Sequence, residues 1–143
     1  MKKRKYFGLK RLIPCYAEED RCKYCRLMQQ EWPKTVPIDA IENLWALAEN
    51  VLEPVREIYG RPMRVERGFL CWNKCKRLGA EWSYCRGEAV DITAIYGDVR
   101  EENQKIALLI QELTVFDQLV VYETHLHVSY KHKGNNRKEV IIT

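Results

Sequence analysis

The side chains best suited to chemistry in this sequence fall in two short segments. Trp82 to Asp91, WSYCRGEAVD, carries a thiol at Cys85 and a carboxylate at Asp91. His125-Leu126-His127 carries two imidazoles. Ala89-Val90-Asp91-Ile92 alternates as a strand does, with Gly87 a bend at its entrance. Residues i and i+2 of a strand share a face, so His125 and His127 are expected to point the same way. A thiolate, a carboxylate and an imidazole from two strands are a donor set for zinc with one position open. Zinc held in that way polarises a carbonyl and brings its bound water toward a pKa of about 7. The chemistry such a site supports is metal-assisted hydrolysis. It needs a general base, and Glu123 is the acidic residue nearest the histidine pair. Asp91 is the hardest of these residues to explain structurally, because an unpaired carboxylate between Val90 and Ile92 is costly.

The elements that must position these groups can be read from periodicity. Ile41, Leu44, Leu47, Val51, Val55 and Ile58 recur at helical spacing, which predicts a helix over 38–59 that starts after Pro37, stops at Gly60 and breaks at Pro54. Met63 to Arg67 alternates as a strand, and a loop from Gly68 to Trp82 follows. Asp98 is placed to cap a helix whose stripe is Ile106, Leu109, Ile110 and Leu113, with Glu101 in the capping-box position. Two strands over 117–122 and 126–130, a turn at Gly134-Asn135-Asn136 and a last strand over 139–142 complete the chain. This order predicts an α+β domain with a central antiparallel sheet packed against helices and the site on one sheet face.

Length and composition bound the function. The 143 residues, 46% hydrophobic and 31% charged, predict one globular domain, here residues 37–143, behind a basic, cysteine-bearing arm over 1–36. No apolar run is long enough to span a membrane. Met1 to Lys5 has the charge of a secretory leader, but Lys10 and Arg11 interrupt the apolar stretch that should follow. The expectation is a monomer made in the cytoplasm without that signal, delivered by another factor if it works at the cell wall. The net charge of +4 gathers in the first eleven residues, which reads as a solvated tail or as attraction to an anionic polymer. Basic and aromatic residues are not interleaved as in base-reading proteins, so nucleic acid is not the expected partner. Of the six cysteines, Cys15, Cys22 and Cys25 are candidates for a structural metal site or a disulfide. Trp72 and Trp82 are candidates for lining a groove or for the core.

The segment from Ser83 through Gly87 and Ala89 to Asp91 resembles the Ser-x-His-x-x-Gly-x-Ala-x-Asp motif of the M15 peptidases, zinc D-Ala-D-Ala carboxypeptidases and murein endopeptidases. Cys85 then stands for the family's first zinc-ligating His, and His125-Leu126-His127 is similar to its His-x-His. The likeness runs from about Ile38 to about Val140 and takes in the helix through Asn43–Arg56 and the segment Phe116-Asp117-Gln118-Leu119. It implies a hedgehog- or D,D-peptidase-like fold in which an arm wraps the domain. It also implies zinc on Cys85, Asp91 and His127, with His125 assisting catalysis at the tetrahedral oxyanion. Ser83 falls in the role of a substrate or loop hydrogen-bonder. The family's Gly-Tyr-Arg-Ser appears here as Gly68-Phe69-Leu70-Cys71, without the Arg that holds the substrate carboxylate. Lys74 and Arg77 are the candidates to replace it. The function implied is a zinc-dependent peptidoglycan peptidase of phage or prophage type, cutting a bond that involves a D-amino acid in wall peptides. The alternative is a degenerate member that binds the wall without turnover, which the Cys85 and Leu70 departures favour.

Overall fold

The computed structural model describes residues 5–13 and 37–143. Its first element, helix α1 (Leu9–Leu12), belongs to the core, since Phe7, Leu12 and Ile13 are buried. Arg11 is not part of a solvated tail: its guanidinium lies 4.7 Å from the centroid of the Phe7 ring and donates to the carbonyls of Tyr6 and Met63. The Glu53 carboxylate accepts the Tyr6 N–H at 2.7 Å and fastens this segment to the domain. Cys15, Cys22 and Cys25 lie outside the described residues.

The predicted long helix is present but is not one regular rod. α2 (Ile38–Leu47) widens into a π-helical turn (Ala48–Leu52) before α3 (Glu53–Tyr59). Pro54 supplies the reason, because it donates no hydrogen bond and its ring crowds the carbonyl four residues back. Strand β1 (Met63–Arg67) follows. The stretch expected to be a loop folds as two short helices, α4 (Trp72–Leu78) and α5 (Trp82–Cys85). The Cys71 sulfur caps α4 by accepting the Lys74 N–H at 3.4 Å, a role the sequence does not advertise. Then come β2 (Ala89–Ala94), α6 (Val99–Leu113), β3 (Gln118–Val121), β4 (Leu126–Ser129) and β5 (Glu139–Ile142). Asp98 caps α6 as predicted, its side chain accepting the Glu101 N–H at 3.0 Å.

The fold is α+β, a single domain with one five-stranded sheet in the order β1-β2-β4-β3-β5. The expectation of an antiparallel sheet holds for four strands. β5 runs parallel to β3, so the sheet is mixed. The buried Asp117 carboxylate organises that crossing, accepting the Arg137 backbone N–H and two of its guanidinium N–H groups at 3.0–3.2 Å. One face of the sheet presents Val90, Ile92, Leu119, Leu126 and Val128 to Leu44, Leu47, Val51, Ile106 and Ile110. A fully buried aliphatic side chain contributes about 1.5–3 kcal/mol, so this layer carries most of the stability. The alternation that fills it turns Asp91, His127 and Ser129 to the opposite face. Among the described residues, no helix is long and apolar enough to cross a membrane.

Candidate functional site

The site is built on the pairing of β2 with β4, in which Asp91 stands directly opposite His127. The facing side chains meet at 3.0 Å, His127 Nδ1 to Asp91 Oδ1. The third member of the cluster comes from α5. The Tyr84 hydroxyl lies 2.6 Å from Asp91 Oδ1 and 2.8 Å from His127 Nδ1, closing a triangle of polar atoms. All three residues are nearly out of solvent, at 6%, 7% and 5% exposure for Tyr84, Asp91 and His127. Burial, and next the hydrogen bond to Asp91, push the Tyr84 hydroxyl well above the ordinary tyrosine range. It is therefore a neutral phenol that donates to the carboxylate.

Gly87 makes this geometry possible. It turns the chain from α5 into β2 at φ +74°, and a Cβ there would lie 2.3 Å from the Ala40 carbonyl oxygen on α2. A residue with a side chain fits neither the left-handed backbone nor the space.

Tyr84 takes the place expected for Cys85, and helical geometry explains why. Consecutive residues of a helix are turned by roughly 100°, so two neighbours in α5 cannot face the same target. Tyr84 faces the sheet. Cys85, half-buried, packs against the cluster of Leu70, Cys75, Tyr84 and Ala89. Among the described residues, no three His, Cys, Asp or Glu side chains converge closely enough to share a metal ion. Counting the motif back from Asp91, through Ala89 and Gly87, also puts its histidine position seven residues before the aspartate, at Tyr84. Counted forward from Ser83, the same position falls on Cys85. The signal that would have found Tyr84 was present in the spacing.

His125 is brought to the site as expected. Its Nε2 lies 3.8 Å from Asp91 Oδ2, its Nδ1 is 3.0 Å from the Thr124 hydroxyl, and the Tyr122 ring stacks on it at 4.6 Å. Glu123 is not brought in: it is exposed at the β3–β4 hairpin, and Thr124 lines the cleft in its stead. Lys74 and Arg77 lie on α4 and line neither of the clefts that border the cluster. Ser83 borders the smaller of these, about 180 Å³, together with His127, Ser129 and Lys131. The larger cleft, about 550 Å³, is lined by Glu66, Arg67, Asp91, Thr124 and His125.

Arg67 is the cation of that cleft. It stands opposite Asp91 where the β1–β2 register shifts, and its guanidinium lies 5.4 Å from the centroid of the Tyr84 ring. Arg61, Arg64, Arg86 and Arg137 each have a carboxylate within 3.3 Å. Arg67 has none among the described residues. The sequence marks it poorly, since it is one of several arginines around β1 and only the pairing of the strands singles it out.

No known family model matches this chain, and no curated protein matches it. The reading of the site therefore rests on its geometry.

Proposed function

We propose that this chain is a non-catalytic binding module for peptidoglycan peptides, built on a D,D-peptidase-like α+β scaffold. The observation that carries this reading is the Tyr84 hydroxyl lodged between Asp91 and His127. A catalytic zinc needs three protein ligands and an open position for water. Here Asp91 and His127 supply two donors, the third place is filled by a phenol held in its neutral form, and among the described residues no Cys85 thiol converges with them. The residues present do not fit the zinc centre expected from the sequence, and no hydrolytic step is derived from them.

The cleft beside the cluster is furnished for recognition. Arg67 offers a planar, permanently charged fork for a carboxylate, and the Thr124 hydroxyl and His125 border the same space. Asp91 and Glu66 place negative charge on the same walls, which favours a ligand bearing an ammonium beside its carboxylate, as stem peptides do. Arg67 thus serves where Lys74 or Arg77 was expected. The class of ligand comes from the motif likeness; the cleft supports it with matching charge.

The test is to incubate the purified full chain with muropeptides and with sacculi, with and without added zinc and chelator. Binding to either material with no released D-alanine and no cut cross-link is the expected result. Product that appears with the wild-type chain and stops on adding chelator would overturn the reading in favour of the zinc peptidase.

A further inference from the structure

Two tryptophans that peptide recognition leaves unused stand together on the surface. Trp72 opens α4 and Trp82 opens α5, and their rings stack with centroids 4.5 Å apart and planes 15° from parallel. They are nonetheless 57% and 44% exposed. One face of each indole is taken by its neighbour, so the surface still open belongs to outer faces and edges. Large apolar groups gain by leaving water, and a pair this open marks a contact surface and not core. Each ring has already given up its rotamer freedom to the stack, so a ligand that lies on it meets a rigid plane.

The platform continues into the smaller cleft. Glu81 and Ser83, on either side of Trp82 in the chain, both line it. Arg86 lines it too, and its N–H donates to the Trp82 carbonyl at 3.0 Å, which puts it one helical turn on and on the same side of α5 as the indole. Charge in this cleft is balanced among the described residues, with Arg86, Lys131 and Arg137 matched by Glu81, Glu88 and Asp117. A phosphate chain is held by free cations, and here Arg86 and Arg137 are already paired, to Glu88 at 2.7 Å and to Asp117 at 3.0 Å. The lining instead mixes donors with acceptors, and Ser83, Gln118 and Ser129 add neutral ones. At about 180 Å³ the cleft is smaller than the roughly 300 Å³ at which ligand pockets begin, so it takes the polar edge of a ligand and not the whole.

We infer that Trp72 and Trp82 form a platform for a pyranose ring of a glycan, with the smaller cleft taking the ring's hydroxyl and acetamido substituents. The negative face of an indole attracts the polarised C–H bonds that a pyranose presents on one side. The polar groups at the rim of the ring need partners, which the cleft supplies without net charge. The Asp91–His127 pair forms a wall common to both clefts, Asp91 lining the larger and His127 the smaller. That the glycan is the one of peptidoglycan rests on the function proposed above; the affinity for a pyranose does not.

The probe is chitotetraose, a peptide-free tetramer of N-acetylglucosamine, titrated into the isotopically labelled full chain. The chain has four tryptophans, so four indole N–H resonances are followed by NMR. Those of Trp72 and Trp82 are the ones missing from Trp72→Phe and Trp82→Phe. The expected result is that these two shift saturably and the other two stay. Trp82→Ala should weaken binding about tenfold or more, Trp82→Phe, which keeps a ring, about threefold or less, and Arg67→Ala not at all. The wild-type spectra decide by themselves, whatever the stability of the variants. Sugar that moves neither resonance, or only the other two, would overturn the inference. So would a thymidine oligonucleotide that shifts the pair at lower concentration than the sugar. A sugar-free stem peptide is titrated in parallel. Peptide binding that Arg67→Ala abolishes, with no sugar binding, removes the platform and leaves the peptide cleft. Sugar binding with no peptide binding keeps the platform and removes the peptide cleft.

Discussion

Replacing Tyr84 with histidine should turn the closed triangle into a metal site. His127 Nδ1 and Asp91 Oδ1 already stand 3.0 Å apart. Two donors bound to one zinc at 2.0–2.1 Å in tetrahedral geometry lie roughly 3.3 Å apart, so the existing pair needs to open by only a few tenths of an ångström. The Tyr84 oxygen, at 2.6 and 2.8 Å from the two, sits where the ion itself would have to be. A histidine side chain is shorter by roughly one metal–nitrogen bond, about 2 Å. It withdraws from that volume and presents a nitrogen to it. Three ligands in place should give a dissociation constant of about 1 μM or tighter, equivalent to about 8 kcal/mol. The assay is zinc per chain after dialysis against a few micromolar zinc, with calorimetric titration of the same samples. Near-zero occupancy is expected for the wild type, about one zinc for Tyr84→His, and near-zero again for Tyr84→His with Asp91→Ala. The reasoning is refuted if the wild type already holds one zinc that Asp91→Ala removes, or if folded Tyr84→His takes up none.

Three further outcomes follow from the same structure. Arg67→Ala should weaken muropeptide binding about 10- to 100-fold, the loss of one charge-assisted contact of about 1.5–3 kcal/mol, and should lower the urea midpoint only by what the contact with the Tyr84 ring contributes, about 0.5–1 kcal/mol, since Arg67 has no ion pair among the described residues; unchanged affinity would remove Arg67 from the ligand site. Burial pushes the Asp117 carboxyl up, but the hydrogen bonds and charge of Arg137 outweigh it and hold the group below its ordinary value. Its contribution to stability is therefore present above the unfolded carboxyl pKa and lost as pH falls through the lower folded value. Arg137→Gln should move the onset of acid unfolding to higher pH, which circular dichroism from pH 6 to pH 2 would show. Gly87→Ala should cost about 2–4 kcal/mol, from a left-handed backbone together with a Cβ 2.3 Å from the Ala40 oxygen; a thermal melt within 2 °C or so of wild type would contradict this.

The sequence carried the fold well wherever periodicity was long. The apolar run from Ile38, the Asp98 cap and the alternating strands all appear where spacing placed them, because burial of one face dictates those patterns. What it did not carry was local and short. α4 and α5 are too brief for a hydrophobic period to develop, and the start of α4 depends on a sulfur accepting the Lys74 N–H. The direction of β5 is set by Asp117 reaching Arg137 across the crossing, a contact invisible to any window of sequence. At the site, Asp91, His125 and His127 were legible because strand alternation puts them on one face. Cys85 was misplaced by a single residue, and on a helix one residue changes which wall a side chain meets. Glu123 failed for a related reason, since the hairpin turns it outward and leaves Thr124 at the cleft. Arg67 could be found only after β1 was laid against β2, because its significance is to be a cleft cation that no carboxylate among the described residues pairs with.

The triangle of Tyr84, Asp91 and His127 also bears on descent. Tyrosine and histidine codons differ at their first base alone, so one nucleotide separates a polar plug from a third imidazole. The surroundings need little rebuilding in either direction, because β2 and β4 hold Asp91 against His127 through backbone pairing that is indifferent to what α5 presents. Where Tyr84→His binds zinc as predicted, a lineage carrying this scaffold stands one mutational step from gaining that metal centre.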